Sequence, residues 1–185
     1  MSKKNFANLN LNQSIKDFQV NIIELLKLNN VAEWDGITIK DREEKIREAA
    51  LILAGQCVAI LLDTLSKSPE ASRTAINQTQ GWWRKKTKKN GSKTWQILTI
   101  GNVIVNLKLP YVVERKTRKD YNRKPKGPGF CPFLRWLVRE FGVTPYVWST
   151  IAKYGTITTS FEIARQTLKE WGVKISLHLN STFNL

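Results

Sequence analysis

Histidine occurs once in the 185 residues, at His178, and cysteine twice, at Cys57 and Cys131. The cysteines stand in different segments without CxxC spacing, and no HxxxH pair accompanies them, which argues against a zinc site. Two cysteines are too few for a disulfide framework, and that suits a reducing cytoplasm. His178 alone has no partner for acid–base or nucleophilic work. Acids are scarce as well, fifteen against thirty Lys and Arg. Asp41, Glu43, Glu44 and Glu48 line a predicted helix start, where carboxylates favour the macrodipole. Asp17, Asp63 and Asp120 are scattered over helix and loop. The expectation is therefore no catalytic residue, no metal ligand and no cofactor on this chain. Long apolar runs are missing too. "AALILAG" continues to "CVAILL" but is broken by Gln56 and preceded by "DREEKIRE". It reads as too short and too charged at its flank to span a membrane. "MSKKNFANLN" lacks the apolar stretch of a signal peptide. A cytoplasmic chain with no membrane partner is the expectation.

What the chain does have is positive charge. Its formal net charge is +15 and its sequence pI near 10.0. Such an excess attracts phosphate backbones or anionic membranes and says nothing of the fold. With 42% hydrophobic residues and seven Trp, the chain still has the means to bury a core. The length suits one domain or two small ones.

Three segments follow from the patterns. Residues 1–80 read as helical. Ile15, Phe18, Ile22, Leu25 and Leu26 repeat at helical spacing from Asn12 to about Leu28, and "NNVAEWDGITIK" breaks the pattern. A second helix is expected from about Asp41 to Lys67, and a third over "SPEASRTAINQTQ", with Ser68 as N-cap and Pro69 at the first helical position. In residues 81–129 the period changes to two. Val103, Val105, Leu107 and Leu109 alternate with Asn102, Ile104, Asn106 and Lys108, so a β-hairpin turning at "IGN" is predicted. Residues 130–185 return to helix. Pro132 opens a short one holding Leu134, Leu137, Val138 and Phe141 and ending at Gly142. Thr144-Pro145 opens another, with Val147, Trp148 and Ile151, that stops at Gly155. "LHLNSTFNL" would be the last helix. The fold class is α+β, mainly α.

Two basic runs flank the predicted hairpin. "GWWRKKTKKNGSK" carries six basic residues and no acid, and "ERKTRKDYNRKPKGPG" carries seven basic residues. Each reads as a charged loop. Folding the hairpin brings Arg84, Lys85, Lys86, Lys88, Lys89 and Lys93 to the same end as Arg115, Lys116, Arg118, Lys119, Arg123, Lys124 and Lys126. Self-repulsion there is offset by a polyanion that releases its condensed counterions. Trp82, Trp83 and Tyr121 sit beside the runs, placed to stack on bases or to pack inward. Trp136, Trp148 and Trp171 read as core.

"TTSFEIARQTLKEWGVKIS" has the form of a helix-turn-helix. Thr159 and Glu162 have capping-box spacing. Phe161, Ala164, Leu168 and Trp171 share one face of the helix, and Gly172 follows as a C-terminal stop. Ser176 stands ready to cap a second helix. An ordinary helical hairpin produces the same spacing.

The order of these elements resembles an insertion-sequence transposase, most closely the N-terminal half of the ISKra type and its relatives. The residues that carry the likeness are "TIGNVIV", the Gly/Pro-rich loop, "FCPFLRWLVREFGVTPYVWSTIAKYG", and the helix-turn-helix positions Ser160, Phe161, Ala164, Leu168, Gly172, Val173, Ile175 and Ser176. They cover about residues 80–177. The resemblance implies a DNA-binding segment whose partner is duplex DNA at transposon ends, with a homo-oligomer open. It also implies an RNase H-like domain that holds divalent metal such as Mg²⁺ after the helix-turn-helix. The chain has nine residues after Ser176, so the expectation is a transposase fragment, or one half of a two-chain transposase, without catalysis of its own. The tail "LHLNSTFNL" lacks the Lys or Arg that base reading favours. A small RNA-binding or ribosome-associated protein is the alternative that the charge alone equally allows.

Overall fold

The computed structural model describes residues 10–28, 32, 34–79, 87–114, 129–138, 142–158 and 160–174. Among the described residues the chain is mainly helical, with one small antiparallel sheet. Its elements are α1 (Leu11–Leu25), α2 (Gly36–Lys67), α3 (Pro69–Thr79), β1 (Thr87–Leu98), β2 (Ile104–Glu114), α4 (Pro132–Leu137), α5 (Pro145–Ile157) and α6 (Phe161–Glu170). A helical turn at Ile100–Asn102 joins the two strands.

Capping explains several boundaries. Asn10 caps α1 by accepting from the Asn12 amide at 2.9 Å. α2 starts five residues before the expected Asp41, because Asp35, in an extended conformation, accepts from the Thr38 amide at 2.7 Å. Asp35-Gly36 reads as a helix breaker, yet a short carboxylate just ahead of a helix is also a favoured N-cap. Ser68 caps α3 as predicted, accepting from the Ala71 amide at 3.2 Å, with Pro69 at its first position.

α2 is long and apolar enough to cross a membrane by length and composition alone, which corrects the reading of its run as too short. Its second half faces the sheet, burying Gly55, Gln56, Ala59 and Leu62. The main core joins Ala59 and Leu62 to Ile97, Val103, Val105, Leu107 and Leu109 of the hairpin and to Cys131, Phe133, Leu134 and Val138. The alternation expected for β2 is therefore present: Val105, Leu107 and Leu109 are buried, whereas Asn106 and Lys108 are exposed. Farther out, α1 and the first half of α2 leave Val20, Ile23, Leu26, Ile37 and Ile39 exposed.

The later helices depart from expectation in detail. α4 ends at Leu137, short of the predicted Phe141, because Val138 turns extended and is buried in the core. Phe141 lies outside the described residues. α5 passes through Gly155 to Ile157, and Thr158 closes it through its amide and its hydroxyl, both donating to Tyr154 O. A glycine costs a helix about 1 kcal/mol without ending it.

A second cluster gathers Val143, Val147, Leu168 and Val173, with Leu98, Trp148, Ile151 and Tyr154 against it. Leu98 connects this cluster to the sheet. Its amide donates to Gly142 O at 2.7 Å and its carbonyl accepts from the Thr144 amide at 3.0 Å.

Three glycines fasten the elements at one place. A Cβ on Gly55 would lie 2.0 Å from Ile100 O, and one on Gly101 would lie 2.3 Å from Leu51 O. A Cβ on Gly172 would lie 2.7 Å from the Gly101 Cα. Backbone of α2, of the hairpin turn and of the α6 terminus thus meet without intervening side chains. The buried Thr99 hydroxyl stands 3.1 Å from both Gly55 O and Val103 O, and has a proton for one of them at a time.

Candidate nucleic-acid interface

The hairpin pairs from Leu98↔Ile104 at the turn to Thr87↔Glu114 at its open end. Of the thirteen basic residues assigned to charged loops, Lys88, Lys89 and Lys93 lie among the described residues. They stand on strand β1, not in a loop, so the loop expectation is corrected for them. A stretch rich in Lys, Asn, Gly and Ser reads poorly as strand. It pairs because Tyr111, Val112 and Val113 of β2 supply the β-propensity opposite. Arg84, Lys85, Lys86, Arg115, Lys116, Arg118, Lys119, Arg123, Lys124 and Lys126 lie outside the described residues, as do Trp82, Trp83 and Tyr121.

Lys88, Lys89 and Lys93 are exposed. The Lys93 ammonium sits 4.0 Å from the centre of the Tyr111 ring, a cation–π contact that holds the charge against the strand surface. Between Lys89 and Ser92 the register slips, since Lys89 pairs with Val112 but Ser92 with Pro110. Three steps on β1 match two on β2, which is a β-bulge. Gly91 within it has φ +74°, a conformation that glycine adopts without steric cost.

The hairpin's two faces differ sharply. One is the core face. The other carries Thr94, Gln96, Asn106 and Lys108, all exposed. Periodicity places Asn106 and Lys108 on the solvent side, but their partners could not be read from it. Residues 87–114 hold four lysines and one acid, Glu114. Lys108 and the two amides are the members of this surface that the reading by charge runs misses.

The helix-turn-helix positions fare unevenly. Ser160, not Thr159, is the N-cap of α6, accepting from the Glu162 amide at 3.2 Å, so the capping-box expectation is corrected; Thr159 lies outside the described residues. Glu162 turns instead to Arg165, whose guanidinium holds its carboxyl below the usual range. Ala164 and Leu168 are buried as expected. Phe161 is 73% exposed and Trp171 38% exposed, so the face that Phe161 shares with Ala164 and Leu168 is not packed at Phe161, and Trp171, read as core, is only partly packed, its indole N–H donating to the Tyr154 hydroxyl at 2.9 Å. As the first residue of α6, Phe161 lies beyond the contact that Leu168 and Val173 make with α5.

Gly172 ends the helix as predicted, with φ +66°. The Gly172 amide donates to Lys169 O at 3.0 Å and the Val173 amide to Leu168 O at 2.9 Å. This is a Schellman motif with its hydrophobic contact, Leu168 against Val173. Ile175, Ser176, His178 and the expected last helix lie outside the described residues. Among the described residues, no group of three or more His, Cys, Asp or Glu is arranged to hold a metal ion. No family model, curated protein or solved structure matches the chain.

Proposed function

We propose that the chain binds duplex DNA, mainly through its phosphate backbone, as the DNA-binding part of an insertion-sequence transposase. The observation that carries the reading is the Thr87↔Glu114 pairing. It makes the chain enter the hairpin straight after Arg84, Lys85 and Lys86 and leave it straight before Arg115 and Lys116, beside Lys88 and Lys89. Like charge collected at one end of a hairpin is costly unless a polyanion answers it. The transposase assignment rests on the order of hairpin, short helices and helix-turn-helix-like unit, and the burial of Ala164, Leu168 and Val173 with the positive φ of Gly172 supports it.

The test is a titration of the full chain with one duplex at several salt concentrations. Binding at about 10⁻⁴–10⁻⁶ M near physiological salt, falling steeply as salt rises, is the expected result. An RNA duplex of equal length serves as competitor, and strong preference for it would replace the DNA reading with the RNA one. Supercoiled plasmid incubated with the chain and Mg²⁺ or Mn²⁺ should stay intact. Metal-dependent nicking that vanishes when one acid is mutated would replace the fragment reading with a catalytic one.

A further inference from the structure

We propose that the solvent face of the hairpin, carried by Gln96 and Asn106 with Thr94 and Lys108, reads base edges in the major groove. The inference rests on the duplex-DNA reading and adds a sequence-reading surface to it. Four observations converge. First, the sheet has two strands among the described residues, and a two-stranded ribbon is a β-element that the major groove, about 12 Å wide, admits. Second, Thr94, Gln96, Asn106 and Lys108 are all exposed, whereas the opposite face is sealed by the core.

Third, Gln96 pairs directly with Asn106, and Thr94 with Lys108. The amide and carbonyl of Leu98 point away from β2, to Gly142 and Thr144, so Leu98↔Ile104 is a non-hydrogen-bonded pair. By alternation Gln96↔Asn106 and Thr94↔Lys108 are too, and in such pairs the Cα atoms approach to about 4.5 Å. Two primary amides therefore stand side by side, with a lysine two residues on. Amides pair bidentately with adenine N6 and N7, and lysine donates to guanine O6 and N7.

Fourth, asparagine is depleted in strands, yet Asn106 sits in the middle of β2, and neither amide has a side-chain hydrogen-bond partner among the described residues. A local preference broken without a gain in packing marks a position kept for something else. Two residues of strand span about 7 Å, near two base steps of about 3.4 Å. The site read is thus short, with adenine opposite the amides. The lysines at the open end hold the flanking phosphates.

The experiment selects bound duplexes from a pool with a randomised core, using the full chain at a salt concentration where binding is measurable. Enrichment of a short adenine-containing motif is expected. The Gln96→Ala/Asn106→Ala variant should lose about 5- to 150-fold of discrimination per amide. Its affinity for unselected duplex, its salt slope and its melting temperature should stay unchanged, since neither side chain is buried or charged. A Lys88→Ala/Lys89→Ala variant should show the reverse: weaker binding with the same motif. Duplex binding with no enrichment overturns the base-reading face and leaves the electrostatic reading standing. A motif that survives Gln96→Ala/Asn106→Ala overturns it as well. Absence of duplex binding at any salt overturns both readings.

Discussion

Gly172, at the end of α6, rests directly on Gly101, in the turn of the hairpin: a Cβ on Gly172 would lie 2.7 Å from the Gly101 Cα. Both have positive φ, +66° and +69°, where an L side chain costs roughly 1–2 kcal/mol before any clash is added. Gly172→Ala and Gly101→Ala should each lower stability by more than that figure, measured by urea unfolding. Gly55→Ala is the informative contrast. Helix propensity alone favours alanine by about 0.5–1 kcal/mol, but its Cβ would meet Ile100 O at 2.0 Å. The clash should win and the variant be destabilised.

In α6 the burial pattern sorts the four apolar positions. Leu168→Ala, at a site 4% exposed, should cost about 2–5 kcal/mol. Phe161→Ala should stay within about 0.5 kcal/mol. Thermal or urea unfolding of the two variants side by side checks this. An equal loss for both would mean that Phe161 packs after all.

Asp35 gives α2 an acid-sensitive start. The Thr38 amide, and then its hydroxyl, donate to the carboxylate and hold its pKa below the ordinary aspartate value. A depressed folded value means that the stabilisation is present above the ordinary Asp range and is lost as pH falls through the folded pKa. Amide exchange at Thr38 should therefore quicken in acid below the ordinary Asp range. Asp35→Asn, which keeps an N-cap acceptor, should remove that pH dependence.

The two thiols should react unequally. Cys57 is exposed on α2 and Cys131 buried, and burial pushes the Cys131 thiol above its ordinary pKa. Since the thiolate is the nucleophile, a maleimide at neutral pH should label Cys57 in the folded protein. Cys131 should react only on unfolding, as peptide mass analysis would show.

Salt dependence reports the contribution of the described lysines. Lys88→Ala/Lys89→Ala should flatten the log–log slope of duplex binding by up to about 1.8, at about 0.9 for each phosphate no longer neutralised. An unchanged slope would remove both side chains from the interface.

The sequence was most legible where packing obeys one period. Val103, Val105, Leu107 and Leu109 announce a strand with one buried face, and Ser68-Pro69 announces a helix start. It was least legible where a partner decides. Thr87 to Ser92 is strand because of what lies across from it, and Phe161 is exposed because its helix begins past the α5 contact. Charge runs located part of the candidate surface. Gln96 and Asn106 carry no charge, and their adjacency follows from pairing register, which no one-dimensional pattern encodes.

That register has an arithmetic of its own. The extra residue between Lys89 and Ser92 shifts the parity of β1, so that Lys89, opposite Val112, falls in line with Asn106 and Lys108 rather than with the core positions Ile97 and Trp95. Counted as unbroken alternation from Ser92↔Pro110, Lys89 would instead fall opposite Val113 and the lysine pair at the open end would trade sides. A one-residue deletion at Asn90 or Gly91 would remove the bulge, leave Lys89 opposite Val112 and Lys88 opposite Val113, and so keep both lysines on the sides they now hold. The bulge thus takes up one residue of β1 while the pairing on either side of it decides which way each lysine faces.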